Sequence, residues 1–179
     1  MLTIILLIIL AIFIGVAILL YTAPSRFRVE RKILIQAPAD KIFPYLHSLR
    51  ETTKWSPYEN LDPNMERKFS GPDIGVGAKY EWSSKTNRAG AGIQEIIATE
   101  ANQLVRIRIE FLRPMPGVNQ IEYRLTAKNG GTEASWSMTG PMNAMSKIVC
   151  LFIPMDKMIG GQFAKGMASL KDLVEKGAA

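Results

Sequence analysis

At 179 residues, with 47% hydrophobic and 21% charged content, the chain has room for one membrane segment and one domain of about 150 residues. A single cysteine excludes an internal disulfide framework, and one histidine beside one cysteine leaves no metal-ligand constellation. The net charge of +6 is concentrated where Arg26, Arg28, Arg31 and Lys32 meet a lone Glu30; elsewhere the signs are interspersed, without the basic stripe that tracking nucleic-acid phosphates demands.

Leu2 to Leu20 carries no charge, and 19 residues at about 1.5 Å each cover roughly the 30 Å of a bilayer's hydrocarbon. Tyr21 stands where an interfacial aromatic sits. No Lys or Arg precedes the run and no Ala-x-Ala pattern follows it, so residues 1–21 read as an uncleaved single-pass anchor rather than a signal peptide. Basic residues gathered just after it place the remainder in the cytoplasm by the positive-inside rule. Residues 22–26 are a minimal linker, and 27–179 form one domain at the membrane surface.

Phe27 to Gln36 alternates as a strand, blemished by Arg31 and Leu34. Ala37-Pro38-Ala39-Asp40 starts a helix with Ile42, Phe43, Leu46 and Leu49 on its buried side, which Pro44 must kink or split. His47 has no partner near it in sequence and reads as a surface or capping residue. Ala78, Tyr80 and Trp82 give a strand one aromatic face. From Ile93 to Thr99 two faces compete, Ile93, Glu95 and Ile97 against Gln94, Ile96 and Ala98. Val105, Ile107, Ile109 and Phe111 form one face of the next strand, and Ile121, Tyr123 and Leu125 one face of its successor. Asn129-Gly130-Gly131 is a tight hairpin turn into Ala134, Trp136 and Met138.

The segment Met145 to Met155 is apolar but too short to cross a bilayer, and is either core or a portal facing lipid. Beyond it Met155, Met158, Ile159, Phe163, Met167, Leu170, Leu173 and Val174 recur at steps of three or four, the stripe of an amphipathic helix closed by Gly177. The expected architecture is α+β: six or seven antiparallel strands curved around this last helix, with a pocket between them.

Several stretches carry a resemblance in their order and spacing. They are Ile35-Gln36-Ala37-Pro38-Ala39-Asp40-Lys41-Ile42-Phe43, Trp55-Ser56-Pro57, Ser70-Gly71-Pro72 with Gly77 to Trp82, Ala134 to Met138, and Met155 to Gly160. From Phe27 to Lys176 the chain resembles the polyketide cyclase/dehydrase and lipid-transport family of the START-like (helix-grip, Bet v 1-like) superfamily. The resemblance implies an apolar cavity between sheet and helix but no fixed chemistry. Relatives bind lipids, sterols, hormones or polyketides, a few are enzymes, and others serve as co-chaperones or stress modules.

Gly75-Val76-Gly77 and Gly90-Ala91-Gly92 lack the third glycine of a dinucleotide site, so no cofactor is expected. The pocket candidates are Trp55, Tyr58, Tyr80, Trp82, Glu95, Tyr123, Trp136, Met138, Met155, Asp156 and Met158. Aromatic walls with polar tips and flexible methionines suit a lipid or another small hydrophobic molecule. Buried, Glu95 or Asp156 would be a proton-transfer group, as a cyclase or dehydratase requires; a filled core with an exposed apolar patch would suit a protein partner.

Overall fold

The computed structural model describes residues 1–177. Helix α1 (Leu2–Thr22) is followed by strand β1 (Arg26–Ile35) and two short helices, α2 (Ala39–Ile42) and α3 (Leu49–Thr52). Strands β2 (Glu66–Ser70), β3 (Lys79–Ser83), β4 (Ala91–Glu100), β5 (Leu104–Arg113), β6 (Gly117–Lys128) and β7 (Gly131–Pro141) come next, then helices α4 (Ala144–Phe152) and α5 (Met155–Gly177). The seven strands form one antiparallel sheet in the order β1-β7-β6-β5-β4-β3-β2, the helix-grip arrangement expected. The last two residues of the expected domain, 178–179, lie outside the described residues.

Pro44 acts as anticipated: α2 ends at Ile42 and a 3-10 turn takes over at Phe43–Tyr45. His47 stacks on Phe43, with Nδ1 3.0 Å from the Phe43 carbonyl oxygen. A β-bulge at Ile97 decides the ambiguous strand. Gln94 pairs with Tyr80 and Ile109 on the inner face, Ile96 with Ile107, while Glu95 turns outward between Lys79 and Arg108.

Helix α5 lies along β1 and buries Phe163, Met167, Leu170 and Val174, a spacing that keeps one stripe against the sheet. Each such side chain contributes about 1.5–3 kcal/mol by leaving water. Met155, Ile159 and Leu173 are partly buried, whereas Met158 falls off the stripe and is 40% exposed. Two glycines let the helix approach closely. A Cβ at Gly166 would stand 2.7 Å from Trp136 and 2.9 Å from Pro57, and one at Gly160 would enter the Arg31 guanidinium. At the far end Lys171 Nζ donates to the Leu34 carbonyl and the Gln36 amide to Glu175, fixing the helix along the strand.

Helix α1 stands apart from the core, whose buried residues begin at Val29 among those described. It is long and apolar enough to cross a membrane. Lys147 Nζ of α4 donates to the Leu20 carbonyl of α1 at 2.8 Å.

Candidate functional site

The sheet's inner face is organised in cross-strand rows, and each row differs in how completely it is covered. In one row Arg31, Trp136, Tyr123 and Val105 stand side by side. Trp136 is its centre: Phe163 stacks on it at 4.2 Å, while Trp55, Tyr58 and Tyr123 meet it at 5.4, 6.1 and 5.6 Å between centroids. Trp55 donates its indole N–H to the Tyr45 carbonyl, but the Trp136 Nε1–H is buried without a partner. Sheet and helix therefore meet through contacting rings here, where an apolar cavity was expected, because Gly166 brings α5 down onto Trp136.

The next row, Val29, Met138, Ile121, Ile107 and Ile96, is also closed, with no member more than 6% exposed. Beyond it the cover is uneven. In the row of Phe27, Gly140, Asn119, Ile109, Gln94 and Tyr80, Ile109 and Tyr80 are each 4% exposed and Gly140 is buried, whereas Phe27, Asn119 and Gln94 are only half-buried. In the outermost row Phe111 and Trp82 flank Gly92, both half-buried, their rings edge to face at 5.9 Å. Met155 and Ile159 of α5, like Phe111 and Trp82, are partly buried against the domain core. This open end is the end at which β1 continues back into α1, since Arg26 pairs with Pro141 at the sheet's rim.

Three tyrosines supply polar tips. Burial raises the pKa of Tyr58, and burial with the neighbouring Tyr58 raises that of Tyr123. Burial first, and then the hydrogen bond to Glu59 Oε1 at 2.8 Å, raises Tyr80, and Arg67 Nε holds the same carboxylate at 2.7 Å. All three phenols stay protonated at neutral pH, so they serve as hydrogen-bonding groups rather than bases.

Of the residues singled out from sequence, Trp55, Tyr58, Tyr80, Trp82, Tyr123, Trp136, Met138 and Met155 belong to or pack on one apolar cluster. Three are not brought to it. Glu95 lies on the outer face, 3.6 Å from Lys79 Nζ. Met158 is exposed. Asp156 pairs bidentately with Arg31 at 2.7 and 2.8 Å, and that hydrogen bonding holds its carboxyl below the usual range. Half-buried Phe27, Phe111, Asn119 and Gln94, at the open end of the inner face, were not among the candidates singled out from sequence. Phe111 and Asn119 carried a signal, being in phase with Ile109 and Ile121 on faces already assigned inward.

A family model described as polyketide cyclase / dehydrase and lipid transport matches residues 26–175. No curated protein matches the chain by sequence. Among solved structures, a protein from Chromobacterium violaceum superposes with a TM-score of 0.56 at 19% identity, over 86% of this chain and 99% of its own. The Aha1 dimer from Colwellia psychrerythraea gives 0.59 at 18%, over 86% and 99%. A protein of the dynemicin biosynthetic locus, DynU16, gives 0.56 at 17%, over 87% of this chain and 49% of its own. At these identities the likeness is one of fold.

Proposed function

The chain belongs to the polyketide cyclase/dehydrase and lipid transport family, and on that footing we propose that its domain holds a small hydrophobic ligand, a lipid or a polyketide- or isoprenoid-like molecule, between the sheet and α5. The observation that supports this is the gradient of cover along the inner face, from closed rows at Trp136 and Met138 to half-buried Phe27, Trp82 and Phe111. Apolar surface left half-covered next to a packed core gains by taking up an apolar guest, at about 25 cal/mol per Å² removed from water.

In this reading Tyr80, Trp82, Phe111, Met138 and Met155 form the walls. Trp55, Tyr58, Tyr123 and Trp136 form the floor, and Gln94 and Asn119 offer amides to a polar ligand group. The unpartnered Trp136 N–H and the protonated phenols are further donors if the rings part. Methionine and aromatic side chains re-pack at low cost, which suits a ligand whose shape varies.

Helix α1 is the second element of the proposal: a single-pass anchor that holds the domain on the cytoplasmic face of a membrane. Its length and apolarity support it, as do the basic residues from Arg26 onward. Membrane partition of the full chain without loss of residues 1–21 tests this against a cleaved signal sequence, which has the same length and composition.

Among the described residues none of α1 belongs to the core, so residues 25–177 are expected to fold alone. Titrating that fragment with cis-parinaric acid tests the site: saturable binding near one per chain is expected, weakened about tenfold or more by Phe111→Ala. Tenfold corresponds to about 1.4 kcal/mol, within what one aromatic wall contributes. Non-saturating uptake, or indifference to the substitution, would count against it.

A further inference from the structure

The register places several connections at one end of the sheet, and it is the end from which α1 leaves. The β3–β4 turn after Ser83, the β5–β6 turn around Met115 and the β7–α4 junction at Pro141 all lie beyond the line on which Arg26 pairs with Pro141. The Met142 amide donates to the Ser25 carbonyl, and Lys147 closes the carboxyl end of α1 at Leu20. The start of α4 is thereby tied to the very residues at which the apolar helix ends.

This rim is both apolar and basic. Met115 is 57% exposed, Met145 63%, Ile148 37% and Ile153 50%; Ile74 and Val76, in the β2–β3 connection at the other end of the sheet, are as exposed, but they have no apolar helix beside them. Arg113 stands two residues before Met115 and Lys147 lies between Met145 and Ile148, while Arg26 follows α1 after three residues. The β3–β4 turn, near the edge of the sheet farthest from β1, adds Lys85 and Arg88 together with Glu66 opposite Ser83 and Asp62 buried against Ser84, while exposed Asp156, close to Ile153 in the chain, is paired with Arg31.

We propose that this rim is a membrane-docking face: α4 lies in the interface of an anionic bilayer with Met145, Ile148 and Ile153 at the acyl boundary, the tip of the β5–β6 turn enters beside it, and the basic residues meet lipid headgroups. The inference rests on the anchor proposed above. An α1 of 21 residues spans about 30 Å at 1.5 Å per residue, so Leu20 lies at the hydrocarbon boundary and brings Lys147 to headgroup depth. A lysine reaching from apolar surface to that level is the snorkelling arrangement of an interfacial helix. Docked in this way, the half-covered rows at Phe27, Phe111 and Trp82 open toward lipid rather than water, and a hydrophobic ligand reaches them without crossing the aqueous phase.

The test uses the full chain in nanodiscs of phosphatidylcholine with phosphatidylglycerol, in a Cys150→Ser background. Nitroxides are placed one at a time by Met145→Cys, Ile148→Cys and Met115→Cys, with Ile8→Cys in the anchor and Lys128→Cys at the opposite end of the sheet. Collision with oxygen against a water-soluble nickel chelate reads depth. The docked face predicts that the three rim labels favour oxygen at least threefold over Lys128→Cys, and that they shift toward water in phosphatidylcholine alone. Rim labels as accessible to nickel as Lys128→Cys, with Ile8→Cys still in lipid, overturn the docking face and leave the anchor standing. An aqueous Ile8→Cys overturns both.

Discussion

The ring of Phe163 lies parallel to that of Trp136, with centroids 4.2 Å apart and planes within 10°. This contact joins the last helix to the middle of the inner face, and both residues are at most 2% exposed. Phe163→Ala should cost about 3–5 kcal/mol, the usual loss when a fully buried aromatic leaves a cavity. Urea unfolding of residues 25–177 measures it, and a loss below about 1 kcal/mol would show that the helix is held elsewhere.

Two glycines of α5 should answer oppositely to substitution. Gly166 faces Trp136 and Pro57, so Gly166→Val is expected to destabilise by about 2 kcal/mol or more through overpacking. Gly161 has no atom within 4 Å of where its Cβ would stand, and Gly161→Ala should stabilise by up to about 1 kcal/mol through helix propensity. Matching unfolding midpoints for the two variants would refute the close approach at Gly166.

The Arg31–Asp156 pair gives a pH dependence of known sign. Hydrogen bonding to Arg31 lowers the Asp156 carboxyl in the folded state. Its stabilising effect is then complete above the ordinary aspartate pKa of about 3.9 and is lost as pH falls through the lowered folded value. The gap in melting temperature between the wild type and Asp156→Asn should therefore be widest at neutral pH and close in strong acid. A gap that widens on acidification would contradict the pairing.

At alkaline pH the buried phenols govern. Tyr58, Tyr80 and Tyr123, three of the five tyrosines, are raised by burial, so the folded domain resists ionising them near pH 10 while the unfolded chain does not. Stability is expected to fall as pH rises above about 10, with phenolate absorbance at 295 nm appearing together with loss of ellipticity. Smooth ionisation of all five tyrosines before unfolding would show the three to be solvated.

Much of this fold was legible because period two and period three-to-four patterns survive where one face is buried. Val105 to Phe111 and the stripe from Phe163 to Val174 are such segments. Strand β2 was not, because Glu66-Arg67-Lys68-Phe69-Ser70 is a charged edge strand with a single apolar residue and no alternation to detect. Helix α4 was read only as an apolar segment, since a run that short carries no period that separates helix from core strand. The bulge at Ile97 reversed the phase within β4 and so hid the outward facing of Glu95. The pairing of Asp156 with Arg31 spans 125 residues, and only the assembled sheet and helix bring them together. The candidate site was half legible for the same reason: alternation identified the inward aromatics, but how far α5 covers each row depends on Gly160 and Gly166 in the folded chain.

Native mass spectrometry shows whether the domain takes a hydrophobic ligand. The fragment of residues 25–177, purified without detergent, is exposed to a total lipid extract and its bound species are released and identified. One discrete apolar molecule per chain, lost or weakened in Phe111→Ala, is the predicted result. An unliganded mass with no uptake across the extract would show that the domain holds no such ligand.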